Sequence, residues 1–205
     1  TDLSTRAENI VLELPEDSDD DHIEQLRALG ITEIDAGFAI DAAWNPDTDS
    51  IELEEISVTG VDLATVVLSG SLANATEALF DIDPDAALAA SMAVAVHDLT
   101  VDVTDDGLSD IILKTVAKEQ GTDPATMRPI FAGLAEGTVL GLLAGAAEAQ
   151  KVGQALNSFV SGASKHLTIE MVAKEEPGIG IMDFQAMQVD PSQLAGKVTI
   201  NAKAD

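Results

Sequence analysis

From Glu33 to Trp44 the chain alternates without a break: Ile34, Ala36, Phe38, Ile40, Ala42 and Trp44 share one parity, and Glu33, Asp35, Gly37, Ala39, Asp41 and Ala43 the other. Successive side chains of an extended backbone point to opposite faces, so this pattern predicts a half-buried β-strand. At roughly 3.3 Å per residue, Ile31 to Trp44 would extend about 45 Å, well beyond the usual five or six residues, which predicts bending or coiling. The turn Asn45 to Ser50 leads into Ile51 to Thr59 and predicts a hairpin. Ile51 and Leu53 share one parity there and Ile56 and Val58 the other, and a bulge near Glu54 and Glu55 would reconcile them.

The same reasoning places a third strand on Ala64, Val66, Leu68, Gly70 and Leu72, forming a meander with the first two. A fourth carries Val94, Val96, Leu99, Val101 and Val103, with a parity change at His97 and Asp98. A short strand is expected at Asn9 to Leu14, a helix near His22 to Leu29, and another from Asp83 to Ala93, where Asp83 and Pro84 suit a helix start. From Asp106 to Gly162 the period becomes helical, with Gly121 ending one apolar stripe and Asp123-Pro124 opening the next. One helix from Asp123 to Gly162 would measure about 60 Å, too long for a compact domain, so a break is expected near Gly133 to Gly145 or at Gly153. His166 to Ala173 and Lys197 to Ala202 read as closing strands, with Ile179 to Met187 a candidate between them.

Gly133, Gly137, Gly141 and Gly145 stand four residues apart within Pro129 to Ala147, where Glu136 is the only charged residue. Each glycine disfavours a helix by about 1 kcal/mol relative to alanine, so the row asks for a reason. Close backbone approach along a slanted groove, a break in the helix, or Leu and Ala faces lining a ligand cavity would each supply one. Membrane insertion is the fourth reading, with G-x-x-x-G units suited to packing in lipid. Against it, 19 residues span only about 28 Å and include Glu136.

The chain has 205 residues, 10 basic against 37 acidic, and a net charge of −27. Nucleic acid and anionic membrane surfaces carry the same sign, so neither is an expected partner. Two readings of the acidity stand: a surface suited to high salt, or an envelope protein kept soluble by self-repulsion. The absence of cysteine excludes disulfides and thiolate chemistry. The sequence opens on Thr1 rather than methionine and predicts a processed or trimmed chain.

No catalytic constellation is visible. His22, His97 and His166 are far apart in sequence and have no metal-ligand spacing. The run Asp81, Asp83, Asp85 imitates the opening of a calcium loop, but Ala86 and Met92 replace its glycine and glutamate, and Asn45, Asp47 and Asp49 fail in the same way. Turns and helix starts explain both runs. No cofactor is expected.

Ile34 to Phe80, with Val67-Leu68-Ser69-Gly70-Ser71-Leu72-Ala73-Asn74 at its centre, is similar to a group of uncharacterised exported proteins of alphaproteobacteria. Leu99 to Val103, Gly107-Leu108 and Lys118-Glu119-Gln120-Gly121 extend that resemblance over most of the chain. The hairpin followed by S-G-x-L-x-N also resembles AsmA-like envelope proteins, whose curved sheets are linked to lipid transport. Both resemblances imply a periplasmic or otherwise exported protein, and neither transfers a functional residue.

The fold class expected is α+β: one domain in which a curved antiparallel sheet of long strands carries a helical segment on its concave face, strand-rich over 1–105, helical over 106–163 and closed by strands over 166–204. The function expected is binding of a lipid or other apolar ligand without catalysis, with transient contact to a membrane or an envelope protein. The alternative is a structural or protein-interaction domain with a filled core, and an enzyme using two close carboxylates comes third. Candidate lining residues are Phe38, Ile40 and Trp44, then Val66 and Leu68, and on the helices Phe131, Leu134, Leu140 and Leu143.

Overall fold

The computed structural model describes residues 1–143, 146–190 and 192–205. Its strands are β1 (Asp2–Glu13), β2 (Glu33–Asn45), β3 (Ser50–Gly60), β4 (Ala64–Ala73), β5 (Ala95–Asp105), β6 (His166–Ala173), β7 (Ile179–Gly180) and β8 (Val198–Ala204). Its helices are α1 (Asp21–Ala28), α2 (Pro84–Ser91), α3 (Leu108–Glu119), α4 (Pro124–Leu142), α5 (Ala149–Val160), α6 (Ile181–Val189) and α7 (Gln193–Lys197), with a 3-10 turn at Glu77–Phe80. The class is α+β. All strands join one open antiparallel sheet in the order β1-β2-β3-β4-β5-β6-β8, with β7 beside β5 beyond the end of β6.

The alternation in β2 sets the register of everything beside it. Phe38 pairs with Val58 and Ile40 with Ile56, while Trp44 pairs with Ile51 and Ala42 with Leu53. The ladder slips between Leu53 and Ile56, which returns both halves of β3 to one face at the predicted bulge. A second slip, with Ser71 opposite Asp98 and Leu72 opposite Val96, leaves His97 over and restores the parity of β5. Gly70 sits between the two slips at φ 156°, where a Cβ would strike the Asp98 carbonyl of β5. Only glycine allows β4 and β5 to approach there.

The capping residues behave as their types require. Asp20, Asp83 and Asp123 accept backbone N–H bonds at the starts of α1, α2 and α4. Asp81 and Asn45 accept the N–H of Asp83 and Asp47 at 2.9 Å, so the calcium-like runs serve as turns and helix starts.

Two expectations change. β1 begins at Asp2 rather than Asn9, because a slip between Ala7 and Ile10, with Asn9 at φ 56°, breaks its parity and hides its first half in the sequence. Ile179 to Met187 is a strand only at Ile179–Gly180, after which the Asp183 carboxylate accepts the Gly180 N–H at 3.0 Å and starts α6. The expected break falls at the end of α4, Leu142, inside Gly133 to Gly145, while α5 runs unbroken through Gly153. Gly145 lies outside the described residues.

The helical segment rests on the sheet through α5, which packs on β8 and β6, while α4 packs on α5 and α3 on α4. The principal core follows from this: Leu143, Ala149, Val152 and Ala155 close over Leu167 and Ala202. A smaller cluster of Leu113, Ala117 and Met127, with Val116 and Phe131 against it, joins α3 to α4.

Candidate functional site

One register row crosses the whole sheet on its apolar face: Ala7, Phe38, Val58, Val66, Val103, Leu167 and Ala204. Paired residues share a face, so these side chains meet the same side of the sheet. Their exposures differ sharply along it. Leu167, under α5, is 4% exposed, Val103 is half-buried, and Val66, Val58 and Phe38 are 41%, 59% and 40% exposed. The helical cover, which α5 lays on β6 and β8, therefore does not reach β4, and the face is open at Val66, Val58 and Phe38. On β1 the same face continues through Leu3, Ile10 and Leu12, all exposed.

Charge is segregated from this surface. Every charged residue of β1–β4 that is paired in the ladder has the opposite parity, and Glu8 and Glu54 sit at the bulges. The open half of the apolar face thus offers branched aliphatic and aromatic groups without a carboxylate among them. Its far end is closed by the segment after β4, where Trp44 Nε1 donates to the Ala75 carbonyl at 2.6 Å and the Phe80 ring stands 4.8 Å from the Trp44 ring.

The candidate lining residues fall into three groups. Phe38, Ile40, Trp44, Val66 and Leu68 share the apolar face, and Phe38 and Val66 lie in its open part. Leu134 and Leu140 are exposed on α4, and Phe131 lines an apolar recess of about 200 Å3 with Ser109, Ile112, Leu113 and Val160. Leu143 is 5% exposed inside the core beneath α5 and is packing rather than lining. Val58, the most exposed member of the cross-sheet row, was readable only as a strand residue, since parity shows which face a residue joins and not what covers it.

The three described glycines of the row, Gly133, Gly137 and Gly141, do not produce a close approach. A Cβ added at Gly133, Gly137 or Gly141 would meet open space, whereas one at Gly153 would meet Glu136 Cγ at 3.2 Å and Leu140 Cγ at 3.5 Å. The tight contact between α4 and α5 is made by Gly153 of the shorter helix. Beside it Asn157 donates to Glu136 at 2.8 Å, which gives the one charge in the apolar stretch a partner.

The opposite face of the sheet is polar and cross-linked by its own ions. Arg6 lies 3.2 Å from Glu55, 3.7 Å from Glu8 and 3.8 Å from Asp41, and the buried Ser57 hydroxyl donates to Glu55 at 2.6 Å. His166 bridges Asp102 at 2.6 Å and Asp205 at 2.9 Å, and Thr168 donates to Asp102. The hydrogen bonds to Asp205 and then Asp102 hold the His166 imidazole above its ordinary pKa. At the end of β5, opposite Ala64 and with the parity of the apolar face, Asp105 is buried, and burial alone would raise its pKa. The N–H and hydroxyl of Ser109, the Gly107 N–H and the Lys165 ammonium outweigh that and hold the carboxyl below its usual range. His97 Nδ1, at the β5 bulge, is buried with no hydrogen-bond partner among the described residues, and Glu176 stands 3.5 Å away. Among the described residues no group of three or more His, Asp or Glu side chains is placed to hold a metal ion, and no helix is long and apolar enough to cross a membrane.

Residues 57–205 match the model of a family described as "Uncharacterized protein", and the chain belongs to that family. The match runs from the middle of β3 through β8 and so includes Val58, Val66 and the whole helical layer. No curated protein and no solved structure matches the chain.

Proposed function

We propose that this chain binds a lipid or other apolar molecule on the open half of its apolar sheet face, as an exported protein of the bacterial envelope, without performing chemistry on the ligand. The observation that carries this reading is the cross-sheet row, in which one face passes from core beneath α5 to an uncovered surface at Val66, Val58 and Phe38. Exposed apolar patches of this kind mark interaction sites. An alkyl chain laid there gains about 0.8 kcal/mol per buried methylene, so a twelve-carbon tail offers roughly 10 kcal/mol before the costs of association. The net charge of −27 opposes an anionic head group and favours a neutral or zwitterionic one. The rival reading, an interaction domain with a filled core, is supported by the packed cluster beneath α5 but leaves the row across β2–β4 without a role.

Native mass spectrometry of the purified protein, followed by solvent extraction, tests the proposal. A co-purifying lipid at defined stoichiometry is the expected result. Binding of lysophosphatidylcholine should also weaken by about tenfold or more in Val66→Lys, because a buried ammonium must lose its water. Wild-type protein that takes up neither lysophosphatidylcholine nor any other apolar probe would leave the filled-core reading.

A further inference from the structure

We infer that a second copy of this chain closes the open half of the apolar face when no ligand occupies it, the two sheets stacking face to face across β1–β4. The accessible surface of the chain is 12021 Å2. A compact monomer of its 21.3 kDa would expose about 9,100 Å2, so about 2,900 Å2 is left uncovered beyond the norm. Four strands spaced about 4.8 Å apart and some 36 Å long present roughly 700 Å2, so two copies would bury about 1,400 Å2, within the range of stable interfaces.

The chemistry favours a like surface. A two-fold interface brings the same patch from both copies together, and this patch carries aliphatic side chains with its paired charges all on the opposite side of the sheet. Two such faces stack about 10 Å apart as in a β-sandwich, without desolvating a carboxylate. The alternative contact, edge to edge along β1, is opposed by the bulge between Ala7 and Ile10 and by Asn9 at φ 56°, which interrupt the ladder a new strand would need. The net charge of −27 on each copy repels the other, so association must strengthen as salt is added, the reverse of an interface held by ion pairs.

The inference shares its surface with the carrier reading without resting on it, and sedimentation of the full chain after lipid extraction tests it. Wild-type protein should be a dimer at micromolar concentration in about 0.5 M salt, where screening is nearly complete over a few ångströms. It should shift toward monomer at low salt. Val58→Lys and Val66→Lys, at exposed positions, should be monomeric with unchanged far-UV circular dichroism, while Glu52→Lys on the polar face should keep the dimer. A wild-type monomer at high salt, or lysine variants as dimeric as wild type, would overturn the inference. So would a dimer that keeps its mass while holding lysophosphatidylcholine, since both occupants need one surface. Loss of lysophosphatidylcholine binding with the dimer intact would remove the carrier reading alone.

Discussion

His166 links three parts of the sheet through a single ring. Its Nε2 meets Asp102 of β5, its Nδ1 meets Asp205 just beyond β8, and its own backbone belongs to β6. Both partners favour the charged ring and raise its pKa above the ordinary 6.5. A raised folded-state pKa contributes stability that is fully present below the unfolded value and is lost as pH rises through the folded one. The melting temperature should therefore fall as pH is taken from below 6.5 into the alkaline range, and His166→Gln should remove that part of the slope. The ring is partly exposed, so the effect should stay below about 1 kcal/mol. Parallel pH profiles for the two proteins would show that the bridge does not couple to folding. Asp105 has the opposite sign: its depressed pKa contributes stability above the ordinary 3.8 that is lost in acid.

Among the elements, α4 and α5 divide the roles that the sequence assigns to the glycine row. Gly141 faces open space, so Gly141→Ala should stabilise by up to about 1 kcal/mol through helix propensity and reduced unfolded-state entropy. Gly153 touches Glu136 and Leu140, so Gly153→Leu should cost about 1 to 3 kcal/mol by overpacking. Urea midpoints for the pair decide the matter, and a destabilised Gly141→Ala would return the close approach to α4. The strands were legible wherever period-two alternation was strong, down to the bulges at Glu54 and His97, because a slip in parity leaves a mark in the sequence itself. Only the second half of β1 was legible, since its own bulge scrambles the pattern before Asn9. The inward side of α4, which is apolar on nearly every side, was not legible, so that Leu143 could be read as lining although it is core. Phe38 and Val66 were found by parity. Their openness depends on where the helical layer ends, which is a tertiary fact with no local signal.

At the scale of the whole molecule, the helical cover of the eight-stranded sheet lies, among the described residues, over its β6–β8 flank. Hydrophobic burial is the dominant favourable term in folding, so stability must be graded across the strands even though the backbone ladder is continuous. β6 and β8 sit beneath α5 with Leu167 and Ala202 buried, while β1 is an edge strand with exposed side chains on both faces. Native-state hydrogen exchange on dilute protein should therefore show the slowest amides in β6, β8 and α5, intermediate ones in β4 and β5, and the fastest strand amides in β1. An apolar occupant on the open face, whether lysophosphatidylcholine or a second copy at higher concentration and salt, adds burial to β1–β4 alone. Protection should then rise in β2 and β3 by more than in β6, flattening the gradient from the uncovered flank inward. If exchange is uniform across the sheet in dilute protein, or if a bound occupant protects β6 and β8 instead, the open flank is not the surface that the molecule uses.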